Sequence, residues 1–227
     1  MRKQSVVSAV VPAYNEEKRI ERTLKALRRV KELDEIIVVD DGSTDATAQV
    51  ARRNADSVVQ LPRNIGKGGA LSQGMSYAAG NIILFVDADL MEHAKLCGAL
   101  LSPVLKQEAD MTIARFPAAR KKGGFGLVKG LARNGVRWLT GYHLEAVLSG
   151  QRAVTRELIK EAGDLSSGFG VEVGMTVRAL RCGYQVKEIP LPMSHRETGR
   201  NWQGFTHRGK QFLSILKTLF RLWRQPA

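Results

Sequence analysis

Residues 82–90 read IILFVDADL, five apolar residues that deliver two aspartates, Asp87 and Asp89, with only Ala88 between them. Side chains two apart on an extended chain point the same way, so both carboxylates share a face. Two like charges there repel and call for a cation between them. A divalent metal with oxygen ligands would meet that need. The competing explanation is that one Asp caps the next helix and the other is solvated; the triplet alone does not choose.

A second group is basic. The stretch RNIGKGGA places Arg63, Lys67 and three glycines at the start of a helical segment. Bare amides and a lysine at a helix N-terminus suit a phosphate, although a turn with a solvated lysine has the same composition. The Walker pattern is absent, and GFGLVKG and GFGVEVG are not GxGxxG, so the ATPase and dinucleotide readings lack their fingerprints.

The elements that must carry these groups alternate. SVVSAVVP, EIIVVDD, SVVQL and NIILFVD are apolar strand candidates, and helical segments separate them. Asn15 is placed to cap the first helix, with Glu16 and Glu17 in its first turn. Strand–helix–strand spacing of this kind predicts parallel βαβ units, a sheet with helices on both faces, and ligands at the strands' carboxyl ends. Asp40 and Asp41, like Asp87 and Asp89, lie at such ends. Beyond residue 110 the pattern loosens. AARKKGGFGLVKGLARNGVRWLTGYH is glycine-rich and basic and reads as a mobile loop. EAVLSGQRAVTRELIKEAG reads as strand, turn and helix, VEVGMTVRALRCG as a helix ending at Gly183, and YQVKEIPLP as a strand.

The 227 residues suffice for one good core. The net charge of +13 is segregated: residues 1–110 hold 15 Lys and Arg against 15 Asp and Glu, and residues 111–227 hold 20 against 7. Such asymmetry points to a surface that meets phosphates, nucleic acid or an anionic membrane. Cys97 and Cys182 form no CxxC pair, which fits a reducing cytosol and argues against a disulfide scaffold or a cysteine-bound zinc. No apolar run approaches the ~20 residues of a spanning helix, and the N-terminal run is too short for a signal peptide.

VVPAYNEE, IIVVDDGSTDAT, RNIGKGGAL and GNIILFVDADL, in this order and spacing, resemble the nucleotide-binding half of family-2-type glycosyltransferases of the GT-A fold. SGFGVEVGMTVRALRCGYQVKEIPLPMSHR is similar to their acceptor half, with particular likeness to glucosyl-phosphoglycerate synthases and polyprenyl-phosphate sugar transferases. The resemblance reaches about residue 196, and 115–145 match poorly. It implies an α/β, Rossmann-like, mostly parallel sheet in one domain. Residues 1–110 would be the nucleotide-sugar half, 111–208 the acceptor half, and 209–227 a basic amphipathic C-terminal helix.

It also implies roles. Pro12, Ala13, Asn15 and Glu16 would lie beside the nucleoside, and Asp40 or Asp41 would accept a uracil N–H. Lys67 would neutralise the diphosphate, and Asp87 and Asp89 would hold Mg2+ or Mn2+, with His195 completing the metal shell. Gly150 and Arg152 would meet the acceptor. Glu172 aligns with the family's catalytic acidic position, but Val-Glu stands here where Glu-Asp is usual, which leaves base or orienting roles open. The expected reaction is transfer from a UDP-sugar to a phosphate-bearing acceptor, with polyprenyl phosphate favoured over a small metabolite such as phosphoglycerate.

In GKQFLSILKTLFRLWR, Phe212, Ile215, Leu216, Leu219, Phe220 and Trp223 form one stripe, and Lys210, Lys217, Arg221 and Arg224 share another face. Such a helix either packs on its own domain or lies in an anionic membrane interface. A cytoplasmic protein, at the inner membrane face in the second case, is the expectation; the oligomeric state is left open, a homodimer included. Two rivals carry less. An idle sugar-nucleotide scaffold has no reason to keep Asp87, Asp89, Lys67 and Glu172, and a nucleic-acid binder would need a recognition module that is absent.

Overall fold

The computed structural model describes residues 5–117, 126–162, 170–193 and 202–224. Seven strands form one sheet: β1 (Val7–Ala13), β2 (Glu35–Asp40), β3 (Ser57–Gln60), β4 (Ile82–Phe85), β5 (Met111–Arg115), β6 (Arg152–Thr155) and β7 (Val186–Pro190), in the order β3-β2-β1-β4-β6-β5-β7. β1, β2, β3 and β4 pair in parallel, as do β5 and β7; β6 runs antiparallel to both β4 and β5.

Both faces of the central strands are buried, so β1, β2 and β4 read as nearly unbroken apolar runs, whereas the edge strands β3 and β7 are only partly buried. Val7, Ala9, Val11, Ile36, Val38 and Leu84 meet one core with helix α1 (Ile20–Leu27), α2 (Thr47–Ala51) and the 3-10 segment Met91–Leu100 that leads into α4 (Leu101–Leu105). Val10, Ile37, Ile83 and Phe85 face the other core, under α3 (Lys67–Tyr77), α5 (Leu127–Thr140), α6 (Arg156–Ala162), α7 (Val171–Arg181) and α8 (Trp202–Arg224). Gly74 lets α3 lie flat on the sheet, because a Cβ there would stand 2.9 Å from Val39 Cγ2.

The pairing of β1 with β4 ends at Val10–Phe85, whereas its pairing with β2 continues to Ala13–Asp40. Pro12, which has no N–H to donate, falls in that one-sided stretch. A crevice thus opens between β1 and β4 at their carboxyl ends, where α/β sheets bind ligands.

Four expectations need correction. The segment expected as a loop contains α5, whose Ala132, Gly135 and Val136 are buried. A Cβ at Gly135 would lie 2.7 Å from Leu219 Cδ2, so here glycine is a packing residue that admits α8. Helix α1 begins at Ile20 with no side-chain cap, and Asn15, at a left-handed φ of 54°, instead accepts a hydrogen bond from the Thr44 amide at 2.9 Å. The strand expected near EAVL is β6, which begins later, at Arg152. The C-terminal helix begins at Trp202 rather than at 209. Gly209 reads as a break but stays within the helix at a cost of about 1 kcal/mol. Among the described residues no helix is long and apolar enough to cross a membrane.

Candidate active site

The crevice is built by three cross-linked loops. After β1, the Asn15 amide donates to Ser43 Oγ at 2.9 Å and the Glu16 amide to Thr47 Oγ1 at 2.7 Å, which fastens this loop to the one after β2. Gly42 takes a φ of 71° and packs on the Arg63 backbone, where a Cβ would come within 2.6 Å of the carbonyl carbon. The third loop, before α3, is held by Asp41, whose two oxygens accept from the Ile65 and Gly66 amides at 2.8 and 2.9 Å. Those two amides, which precede the first turn of α3, are engaged by Asp41.

This divides the aspartate pair. Asp41 is buried and fully engaged in loop structure. Asp40 is also buried; its Oδ1 accepts weakly from the Ser43 amide at 3.3 Å, and among the described residues its Oδ2 has no hydrogen-bond partner. A buried acceptor without a donor is costly unless something brings one.

The chemistry-bearing residues from both halves of the chain meet at Lys67. Its Nζ lies 2.7 Å from Asp87 Oδ1 and 3.1 Å from Glu172 Oε1. Burial works against the ammonium charge, but the two carboxylates outweigh it and its pKa is raised. Gly150 lies over the pair: a Cβ there would stand 2.9 Å from both Asp87 oxygens and collide with the Lys67 ammonium. Beside it Gln151, fully buried, donates from Nε2 to Asp87 Oδ2 at 2.6 Å.

Asp89 is exposed, and its charge reaches Glu16. Burial pushes the Glu16 carboxyl up; Arg19 pulls it down and Asp89 adds to the rise. Arg19 Nε is 2.7 Å from Glu16 Oε2, close in distance but not aligned as a hydrogen bond. The turn carrying Asp89 is pinned from α1 by buried Thr23, whose hydroxyl donates to the Ala88 carbonyl and accepts from the Met91 amide, both at 2.8 Å. Thr23→Val should remove both bonds at unchanged shape and cost about 2 kcal/mol in a denaturant melt. A melt indistinguishable from the parent protein's would show that Thr23 does not hold the turn.

Arg152 is placed differently from the acceptor-contact expectation. It is 1% exposed, and its guanidinium donates to the Ser149 carbonyl (2.8 Å), the Glu172 carbonyl (3.0 Å), Thr176 Oγ1 (2.8 Å) and the Val147 carbonyl (2.5 Å). Burial lowers its pKa to about 10, with Glu172 and Glu188 acting against the fall, so it stays charged at neutral pH. It ties the 147–149 loop to α7 and leaves Gly150 and Gln151 facing Asp87. His195 lies outside the described residues, among which no group of three His, Cys, Asp or Glu side chains forms a ready metal cage.

Gln151 and Thr23 are the residues that sequence reasoning missed. A polar Gly-Gln-Arg run directly before an apolar strand was a usable signal for Gln151; nothing local marks Thr23 as reaching a turn 65 residues away.

A mostly parallel seven-stranded sheet flanked by helices is the architecture of GT-A glycosyltransferases, and solved enzymes of that kind superpose on it. Residues 8–158 match Glycosyl transferase family 2, and the chain belongs to that family. An uncharacterised protein of Methanocaldococcus jannaschii is 34% identical over 96% of this chain and 91% of its own. The dodecaprenyl-phosphate galacturonate synthase of Rhizobium johnstonii is 29% identical over 94% of this chain and 66% of its own, so this chain spans about two thirds of that enzyme. The glucosyl-3-phosphoglycerate synthase of Mycobacterium tuberculosis, solved with Mn2+, UDP and phosphoglyceric acid, superposes with a TM-score of 0.81. It is 27% identical, with 98% of this chain and 80% of that one covered.

Proposed function

We propose that this chain transfers a sugar from a UDP-sugar to a phosphate-bearing acceptor, with polyprenyl phosphate as the favoured acceptor and a small phosphorylated metabolite as the alternative. The observation that carries this is the placement of Lys67 between Asp87, at the end of β4, and Glu172, in the first turn of α7. An ammonium held there would meet the donor diphosphate on one side and the acceptor on the other.

On this reading Asp40 Oδ2 accepts the uracil imide N–H, which supplies the donor that this buried oxygen lacks. Pro12, Ala13, Asn15 and Glu16 line the nucleoside edge, while Asp41 acts one step back by holding the loop before Lys67. Asp87 and Asp89 fit Mg2+ or Mn2+: they are hard oxygen donors on one turn, and such a metal would also take phosphate oxygens of the donor. His195 is proposed as a further ligand. The ion, when bound, would neutralise charge gathering on the departing diphosphate.

Glu172 is proposed to orient rather than to deprotonate. One of its oxygens faces the Lys67 ammonium, and a phosphate nucleophile arrives ionised and needs no base. Arg152 holds the frame around Gly150 instead of touching substrate. A protein working on a lipid phosphate would do so at a membrane surface; the phosphoglycerate reading is supported by the Mycobacterium enzyme's own acceptor.

The test is UDP release from several UDP-sugars with polyprenyl phosphate or phosphoglycerate as acceptor. Glu172→Gln should slow transfer to a phosphate by less than about 10-fold, whereas loss of a true general base costs on the order of 10²–10⁴. A loss in that higher range would overturn the phosphate-acceptor reading.

A further inference from the structure

Helix α8 has three sectors rather than two. Ile215, Leu219 and Leu222 are buried against α5 and α7. At about 100° per residue, Leu213, Leu216, Phe220 and Trp223 gather on a second sector, and all four are exposed. Lys217, Arg221 and Arg224 form the third, next to that apolar strip. Core packing therefore consumes only part of the apolar side chains.

The exposed strip continues onto α5. Trp138, 67% exposed, stacks obliquely on Trp223 with ring centroids 6.1 Å apart; Trp223 in turn meets Phe220 at 5.8 Å, and Arg224 lies over Phe220. Leu127 adds a further exposed apolar residue at the start of α5. Around them α5 contributes the exposed Lys129, Arg133 and Arg137, and neither α5 nor α8 contains a single Asp or Glu.

We propose that the joined outer faces of α5 and α8 are a docking surface for an anionic lipid bilayer. An aromatic and leucine strip bordered by six exposed cations, with no acidic residue on either helix, matches apolar acyl chains below a negative headgroup layer. A second copy of the chain fits poorly, because a two-fold contact sets the patch against itself and brings the same cations face to face. Nucleic acid would use the cations but leave Leu127, Leu213 and Leu216 in water.

The surface lies one helix away from the proposed site. Gly170, two residues before Glu172, packs on α8, where a Cβ would stand 2.9 Å from Thr218 Cβ. Docking would thus hold the head of α7 near the lipid headgroups. The proposal deepens the lipid-acceptor reading and depends on it for its purpose; the test separates the two.

Cosedimentation of the full chain with phosphatidylcholine–phosphatidylglycerol vesicles should show binding that is absent with phosphatidylcholine alone. Raising salt from about 0.1 M to about 1 M shortens screening from ~10 Å to ~3 Å and should release the protein. Arg221→Gln with Arg224→Gln should weaken vesicle affinity about 5-fold per charge removed. Phe220→Glu with Trp223→Glu should abolish it, and all variants should keep the parent melting temperature and UDP affinity. Absence of vesicle binding, binding untouched by these substitutions, a dimer that they dissociate, or RNA binding in place of vesicle binding would each overturn the proposal. Vesicle binding without transfer to polyprenyl phosphate would remove the acceptor reading and leave the surface. Transfer to detergent-dispersed polyprenyl phosphate without vesicle binding would do the opposite.

Discussion

Asp89→Ala should lose divalent-metal-dependent turnover by on the order of 10³-fold and still melt at the parent temperature, since a metal ligand supplies several kcal/mol of charge stabilisation. Asp89 is exposed, so its truncation opens no cavity in the core. Mn2+ titration calorimetry in the presence of UDP, beside steady-state UDP release, measures both parts. Undiminished Mn2+ affinity and turnover would rule Asp89 out as a ligand. Asp87 would make a poorer probe, because Lys67 and Gln151 both hold it and its loss would disturb both.

Lys67→Met should cost on the order of 10²-fold in turnover and weaken UDP binding, as expected when a fixed charge on a transferring diphosphate is lost. Stability should fall too. With the ammonium gone, Asp87 and Glu172 confront each other under Gly150, in a pocket whose lysine is 29% exposed. Loss of one partner in a half-sheltered network costs on the order of 1–3 kcal/mol after allowance for screening. Adding Glu172→Gln to Lys67→Met removes that charge–charge repulsion, because one of its two partners is then neutral. The double variant should recover melting temperature without recovering turnover. Recovery of both would mean that Lys67 serves only to reconcile two carboxylates and takes no part in transfer.

Strands β1, β2 and β4 were legible because burial on both faces writes itself as nearly unbroken apolar runs, and Asp40 and Asp87 mark the ends of β2 and β4. The edge strand β3 was legible only from its Val58–Val59 pair between turn residues. The site's acidic and basic groups were legible as types at strand ends. Their partners were not. Asp40 and Asp41 are neighbours in sequence, and only the loop that folds over Asp41 shows which of them keeps an oxygen open. Arg152 looks like a turn arginine until the 147–149 loop and α7 close around it. Helix α5 was hidden by its own composition. Gly130 and Gly135 lower helix propensity, yet Val128, Leu131, Ala132, Val136 and Leu139 keep helical spacing, and Gly135 is where Leu219 fits. Strand β5, MTIAR, is too short and too plain to announce itself.

The antiparallel strand β6 has a consequence for anyone who would recombine this fold. Cutting the chain near residue 110 looks natural on the proposed division into donor chemistry upstream and acceptor chemistry downstream. Yet β6 is stitched to β4 from Ile82–Thr155 to Phe85–Arg152 on one side and to β5 on the other, so a downstream half brings with it the strand that completes the upstream sheet. The same strand begins directly after Gly150 and Gln151, which sit on Asp87. A slip of one residue along that seam would turn Gln151 away from Asp87 and send Arg152 to the wrong face. Acceptor modules can therefore be exchanged among relatives only as grafts that preserve the β4–β6 register, and new acceptor preference is more accessible by rewriting the loops between strands than by swapping halves.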